Sequence, residues 1–519
     1  MPAQVIDPVV YARRWKILVV LAISLLIIGL DNTVLNVALP TLQTHFEAGG
    51  STLQWIVDAY LLAFAGVLLT MGTLGDRFGR KRVLQSGLLL FGAASVLAAL
   101  AQNADQLIVL RAVMGIAGAM IMPATLSIIM DVFPREERAR AIGIWAAVAG
   151  LGIGLGPFVG GLLLEWSSWS SVFWLNVPIV AGALIGGFAL VPESRDPHPG
   201  AFDLRGAALS IATLVTLVYG IIEATELGWT DPLVLGCFGA AVALGVAFVA
   251  WERKAVSPML PLEFFGDARF SVASAGVGLV FFALMGSVFA FTQYLQFAMG
   301  FSALEAGAAM LPLALGLVMG SGASNHLAGR VGRTRVIAGG LFGVGLVLST
   351  SLVWTPDMAA PMLCLVTFGL ALSMGFAMAP STDAVMSAVP EAKAGVGSAM
   401  SDVTRQVGGA LGVAVIGSII ATAYTRDMDG APAAAADSVG GAHAAAGQLG
   451  GTAGDELAAT AGRAFTDALG IGLTAAALVA FAGGLLVLLR LPDNRAAAAG
   501  GAERDAKAPA TLEPLPAAR

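Results

Sequence analysis

The sequence predicts an all-α polytopic membrane protein made of two related halves, and two observations carry that prediction. Of 519 residues, 57% are hydrophobic and only 12% charged, with a mean hydropathy of +0.83, whereas a soluble domain carries about 25% charged residues. A compact charged block, Gly72 to Val83, also sits between two long apolar runs. It recurs downstream, where Leu327 to Val336 repeats the Leu, Arg, Gly, Arg, Arg and Val of Leu74 to Val83 in the same order.

Apolar windows of about 20 residues, the length that crosses a bilayer as a helix, occur fourteen times, at about 15–39, 53–73, 83–102, 107–129, 141–164, 171–191, 206–223, 233–251, 270–293, 305–324, 335–353, 361–380, 396–423 and 466–489. The first run is too long for a cleaved signal and is followed by more spans, so it reads as the first transmembrane helix. If the N-terminus is cytoplasmic, 24 of the 28 Lys and Arg residues fall on the cytoplasmic side. That bias predicts both termini inside and the block at Gly72 to Val83 as a cytoplasmic hairpin.

A second match supports the repeat. Met122 to Thr125 followed by Phe133 and Pro134 resembles Ala379 to Thr382 followed by Val389 and Pro390, at nearly the offset of the hairpins. Spans 1–6 then correspond to spans 9–14. The expected domains are an N-terminal six-helix bundle (1–191), linkers with two extra transmembrane helices (192–269), a C-terminal six-helix bundle (270–489) and a disordered cytoplasmic tail (490–519). Within the second bundle, about 424–465 is rich in Ala and Gly with scattered acids, and reads as a flexible outer loop.

Two cysteines, Cys237 and Cys364, lie apart in apolar runs and predict neither a disulfide framework nor a metal cluster. There is no phosphate-binding Gly-x-x-x-x-Gly-Lys-Ser/Thr loop and no zinc-ligand His-Glu-x-x-His helix. ATP hydrolysis, enzymatic chemistry, bound cofactors and nucleic-acid partners are therefore not expected. The expected partners are the lipid bilayer, protons and a small molecule.

Ionisable residues inside spans are costly and draw attention first. Asp31 lies about 16 residues into span 1, flanked by Asn32, Thr33 and Asn36. Arg111 near the start of span 4 and Asp58 near the start of span 2 share its depth. The three predict a charge cluster, either a purely structural pair of Asp31 with Arg111 or a site where a carboxylate takes and releases a proton. Asp402 and Arg405, three residues apart in span 13, predict either a local pair or a secondary site. Gly150 to Gly161 predicts a closely packed helix.

These residues resemble the major facilitator superfamily, and within it the fourteen-span drug:proton antiporters. Gly72 to Val83 is similar to the family's hairpin motif, with Gly75 where Ala is usual. Leu30 to Pro40 resembles the span 1 motif, Leu110 to Gly118 the span 4 motif, and Gly152, Gly156, Pro157, Gly160 and Gly161 the span 5 antiporter motif. The resemblance implies the major facilitator fold and proton-driven multidrug efflux across the plasma membrane by alternating access, with the proton gradient as the energy source. It also implies proton coupling at Asp31 and Arg111. A cytoplasmic latch between the halves is implied at Gly72, Gly75, Asp76, Arg77, Gly79 and Arg80. Span 10 lacks the central acid that selects dications in some relatives, so a preference for dications is not expected. Export of one endogenous metabolite is the alternative, and a channel or transport-inactive receptor a remote one.

Overall fold

The structure, a computed structural model, describes residues 7–195, 203–255, 258, 262–389 and 394–492. The expected tail beyond 492 lies outside them. Fourteen helices of the described residues are long and apolar enough to cross a membrane, and backbone polar groups there are satisfied within each helix.

The first half contains α1 (Pro8–Phe46), α2 (Gly50–Phe78), α3 (Arg80–Ala99), α4 (Ala104–Val132), α5 (Arg135–Trp166), the single turn α6 (Ser171–Trp174) and α7 (Asn176–Leu190). Two crossing helices follow, α8 (Leu204–Leu227) and α9 (Pro232–Glu252). The second half starts with α10 (Ala268–Gln293), which runs on through a π-helical turn, Tyr294–Ala298. It continues with α11 (Ala303–Ala309), α12 (Leu311–Val331), α13 (Arg333–Ser349), α14 (Ala360–Ala388) and α15 (Ala394–Asp427). The described residues continue with α16 (Ala433–Asp437), α17 (Val439–Leu449) and α18 (Gly451–Arg490). Local chemistry sets many of these starts: the Asp7 and Asn103 side chains accept from the backbone N–H groups of Val9 and Gln106, at 2.7 and 2.9 Å.

The two halves pack alike. In the first, α1 packs on α5 and α7, α4 on α2 and α3, and α3 on α7; in the second, α10 packs on α15 and α18, α14 on α12 and α13, and α13 on α18. Both use glycine to bring backbones together. A Cβ at Gly156 on α5 would collide with Thr33 Oγ1 of α1, and one at Gly408 on α15 with the Gly278 carbonyl of α10.

The bundles meet along two seams, α2 against α15 and α5 against α11 and α12. Contacts between the bundles lie away from the hairpin end. Gln54 of α2 meets Gly417 and Ser418 of α15, Gly161 of α5 meets Ala303, Pro157 meets Gly307, and Gln296 Nε2 donates to the Val37 carbonyl at 2.9 Å. The helix α8 packs on both α2 and α15, bracing one seam, and α9 packs chiefly on α8.

The stretch read as a flexible outer loop is instead helical. Beyond α15 it folds into α16, α17 and the first turns of α18, which together form a cap over one end of the bundles. The physical reason is its alanine content, since alanine has the best helix propensity, together with defined stops. Ser438 accepts from the Gly441 N–H at 3.2 Å to start α17, and Gly450 and Gly451, at φ 63° and 57°, separate α17 from α18. Val439 and Ala442 are buried, and the Tyr424 hydroxyl donates to the Ala435 carbonyl at 2.9 Å.

Candidate functional site

Asp31 and Arg111 form an ion pair inside the N-terminal bundle, through Oδ2 and Nη1, and each is 1% exposed. Three further contacts hold the pair, and two more hold Asn176 and Ser95 behind it. Arg111 Nε donates to the Ile56 carbonyl at 3.2 Å, and its guanidinium lies 4.4 Å from the centre of the Tyr60 ring. Asn176 Nδ2 donates to Asp31 Oδ1 at 3.2 Å and lies 3.0 Å from Ser95 Oγ, whose hydroxyl donates to the Phe173 carbonyl at 2.9 Å. The site thus draws on α1, α2, α3, α4 and α7. Thr33 is engaged elsewhere, donating to the Ile153 carbonyl of α5 at 2.9 Å, and Asn36 donates to the Asn32 carbonyl at 3.2 Å.

Asn176 and Ser95 went unnoticed in the sequence. The available signal was a lone amide inside the apolar run 171–191.

Asp58 does not join the cluster. It lies on the face of α2 that also carries Gln54 and Leu61, at the i, i+4, i+7 spacing of one helix face, and those two residues touch α15. Asp58 is 0% exposed, and neither carboxylate oxygen has a hydrogen-bond partner. Equal depth did not imply contact, because the Arg111 guanidinium reaches the Ile56 and Tyr60 side of α2 instead.

The hairpin turns on Gly79 alone, at φ 113°, a conformation that favours glycine. Asp76 accepts from Arg80 at 2.9 and 3.0 Å, Arg80 also pairs with Asp131 of α4, and the Arg80 N–H donates to the Ser194 carbonyl at 2.9 Å. Asp76 and Asp131 belong to the N-terminal half and Ser194 to the segment just after it, so none of these partners comes from the C-terminal half. Arg77 lies on α2 with its guanidinium 5.9 Å from the Phe78 ring. In the second copy, Gly332 has φ 100°, and Arg333 pairs with Asp383 and donates to Ser387 Oγ at 3.1 Å.

The glycines of the span 5 motif divide between two neighbours. Gly152, Gly156 and Gly160 face α1, while Gly161 and the Pro157 carbonyl face α11 across the seam. Asp402 and Arg405 pair locally at 2.9 Å, and Arg405 also donates to Thr382 Oγ1 at 3.1 Å and lies 5.8 Å from the Phe281 ring. No group of three or more His, Cys, Asp or Glu that would hold a metal occurs among the described residues.

Repeated six-helix bundles that meet along seams, with ionisable groups buried between helices, are the architecture of secondary transporters. The chain belongs to the Major Facilitator Superfamily, whose family model matches residues 21–413. It is 35% identical over 484 residues to the multidrug efflux pump LfrA of Mycolicibacterium smegmatis, covering 92% of this chain and 96% of that protein. It is 33% identical over 418 residues to the tetracenomycin C resistance and export protein of Streptomyces glaucescens, covering 79% and 76%. Among solved structures it resembles a bacterial homologue of the human lysosomal transporter Spinster in an inward-facing, unoccupied conformation, with a TM-score of 0.66, 18% identity and coverage of 92% and 97%.

Proposed function

We propose that this protein exports hydrophobic or cationic small molecules across the plasma membrane by alternating access, in exchange for protons, with both termini and the hairpin in the cytoplasm. The observation that carries the reading is the buried Asp31–Arg111 pair held by Asn176. Protonating Asp31 removes its charge and leaves Arg111 with the Ile56 carbonyl and the Tyr60 face, which lets α1 and α4 change their mutual position. Asp58 is the second proposed proton carrier. It sits on the α2 face toward α15, and burying an ionised carboxylate without a partner costs several kcal/mol. Closing that seam would therefore be accompanied by proton uptake.

The energetics suffice. One proton crossing ~100 mV releases ~2.3 kcal/mol, which sustains a substrate gradient of roughly forty-fold at ~1.4 kcal/mol per decade. The test is proton-driven ethidium transport in proteoliposomes. Asp31→Asn is expected to abolish it while the protein inserts normally, and unchanged coupling would overturn the role of Asp31. The relative named for tetracenomycin C export favours a second reading, export of one endogenous metabolite. A growth-inhibition panel separates the two, since a dedicated exporter protects against one compound and a multidrug pump against many.

A further inference from the structure

The cap borders open clefts that the transport reading leaves unassigned. A cavity of about 280 Å³ lies between the end of α1 and the cap, lined by Gln43, Thr44 and Glu47 on one side and Asp437, Ser438 and Gln448 on the other. Across Asp437 lies a second cavity of about 390 Å³, which includes Ser51, Thr225, Glu226 and Thr425. Beneath both, a space of about 40 Å³ reaches between the bundles past Gln54 and Gln293. Asp437 borders all three. None of the described residues lining them is Lys, Arg or His.

Gln43 is the independent sign that a ligand belongs here. It is 3% exposed, it borders the 280 Å³ cavity and the space beneath, and neither its Nε2 nor its Oε1 has a partner. Burying that amide unpaired forfeits the hydrogen bonds it would make in water, with nothing gained in return. The backbone makes room for it, because a Cβ at Gly440 would collide with Gln43 Oε1. Glu47 is also held at φ 51°, the single described non-glycine residue with positive φ.

We propose that Gln43, Glu47 and Asp437 form a binding site for an organic cation beneath the cap. Two carboxylates face the cavity with no basic residue to neutralise them, and the amide oxygen of Gln43 supplies a neutral acceptor deeper inside. The Asp437 carboxyl is already held above its ordinary range by burial and by Glu226, and a nearby positive charge would oppose the repulsion from Glu226 and favour the ionised form. On the export reading, on which only the direction of traffic rests, this is the last station of a cationic substrate before release.

The test measures binding of propidium, a membrane-impermeant organic cation, by fluorescence to the full chain in nanodiscs. Binding is read whether or not the protein transports, so failure of the export reading shows separately as absent ethidium transport. Asp437→Asn is expected to raise the apparent Kd about tenfold, the effect of one carboxylate within a few ångströms in a partly wet site. Asp437→Glu retains the charge and is expected to bind within threefold of wild type, which guards against a merely misfolded cap. Gly440→Ala, which displaces Gln43, is expected to weaken binding while leaving both carboxylates in place. Equal affinity in Asp437→Asn and wild type would overturn the site. So would loss of all propidium binding in Asp31→Asn with none in Asp437→Asn.

Discussion

Replacing Arg111 by lysine separates charge from shape. Lysine keeps a positive charge facing Asp31, but loses the Nε–H donated to Ile56 at 3.2 Å and the planar face stacked 4.4 Å from the Tyr60 ring centre. A hydrogen bond from a charged group contributes about 1.5–3 kcal/mol, and a desolvated cation–π contact about 2 kcal/mol, part of which an ammonium retains. The conformation with this site assembled is therefore weakened by about 2–4 kcal/mol, a factor on the order of 30 or more in its population. Proton-driven ethidium transport in proteoliposomes should fall by a similar factor, with the protein still folded. Arg111→Ala goes further, because it leaves the buried Asp31 charge with only Asn176 as partner, a change that costs about 3–5 kcal/mol. That variant should lose transport and unfold at a lower temperature in detergent. Arg111→Lys transporting at the wild-type rate would refute the argument, because the site would then need only a positive charge.

Three other outcomes follow from the geometry. Asp76→Asn weakens the link to Arg80 and is expected to change the accessibility of a cysteine placed between the bundles. Gly329→Ala, at the matching position of the second copy, has nothing within 4 Å of the new Cβ and is expected to leave it unchanged; equal accessibility in wild type and both variants would remove the role of Asp76. Gly156→Leu drives side-chain atoms into Thr33 and should cost at least 1–3 kcal/mol by overpacking, read as a fall in thermal stability, whereas Gly150→Ala meets open space and should not. Finally, the raised Asp437 carboxyl means that the docked cap is favoured when Asp437 carries its proton, and that this stability is lost as pH rises through the docked value. Glu226 of α8 and Glu47 at the end of α1 border the same cavities, and both add negative charge in the same direction. Proteolysis within 424–450 should quicken as pH rises from the ordinary aspartate range of about 4, and a flat profile would show that Asp437 does not control docking.

Much of the architecture was legible because it rests on one-dimensional signals. Hydropathy placed one apolar window on each of the fourteen crossing helices, though α1 and α18 run well beyond theirs, since a helix in lipid must be apolar over a fixed length. The duplicated Gly-Arg turn exposed the repeat, because a one-residue reversal between helices demands the same glycine at Gly79 and Gly332. What failed needed information that depth and composition lack. Asp58 stood at the height of Asp31, but height leaves the direction around the helix undetermined, and that direction carried it toward α15. Asn176 meets Asp31 across 145 residues of sequence, with no local pattern to announce the pairing. The cap departs from expectation because alanine and glycine together suggest flexibility, whereas here the alanines form short helices and the glycines only mark their ends.

The brace formed by α8 makes the two flanks of the molecule unequal toward lipid. A compound dissolved in the bilayer finds the α2–α15 seam screened by α8, with α9 behind it, while neither inserted helix shields the seam between α5 and α12. The two flanks are thus covered differently, so the fourteen-helix plan gives a nearly two-fold symmetric molecule a front and a back.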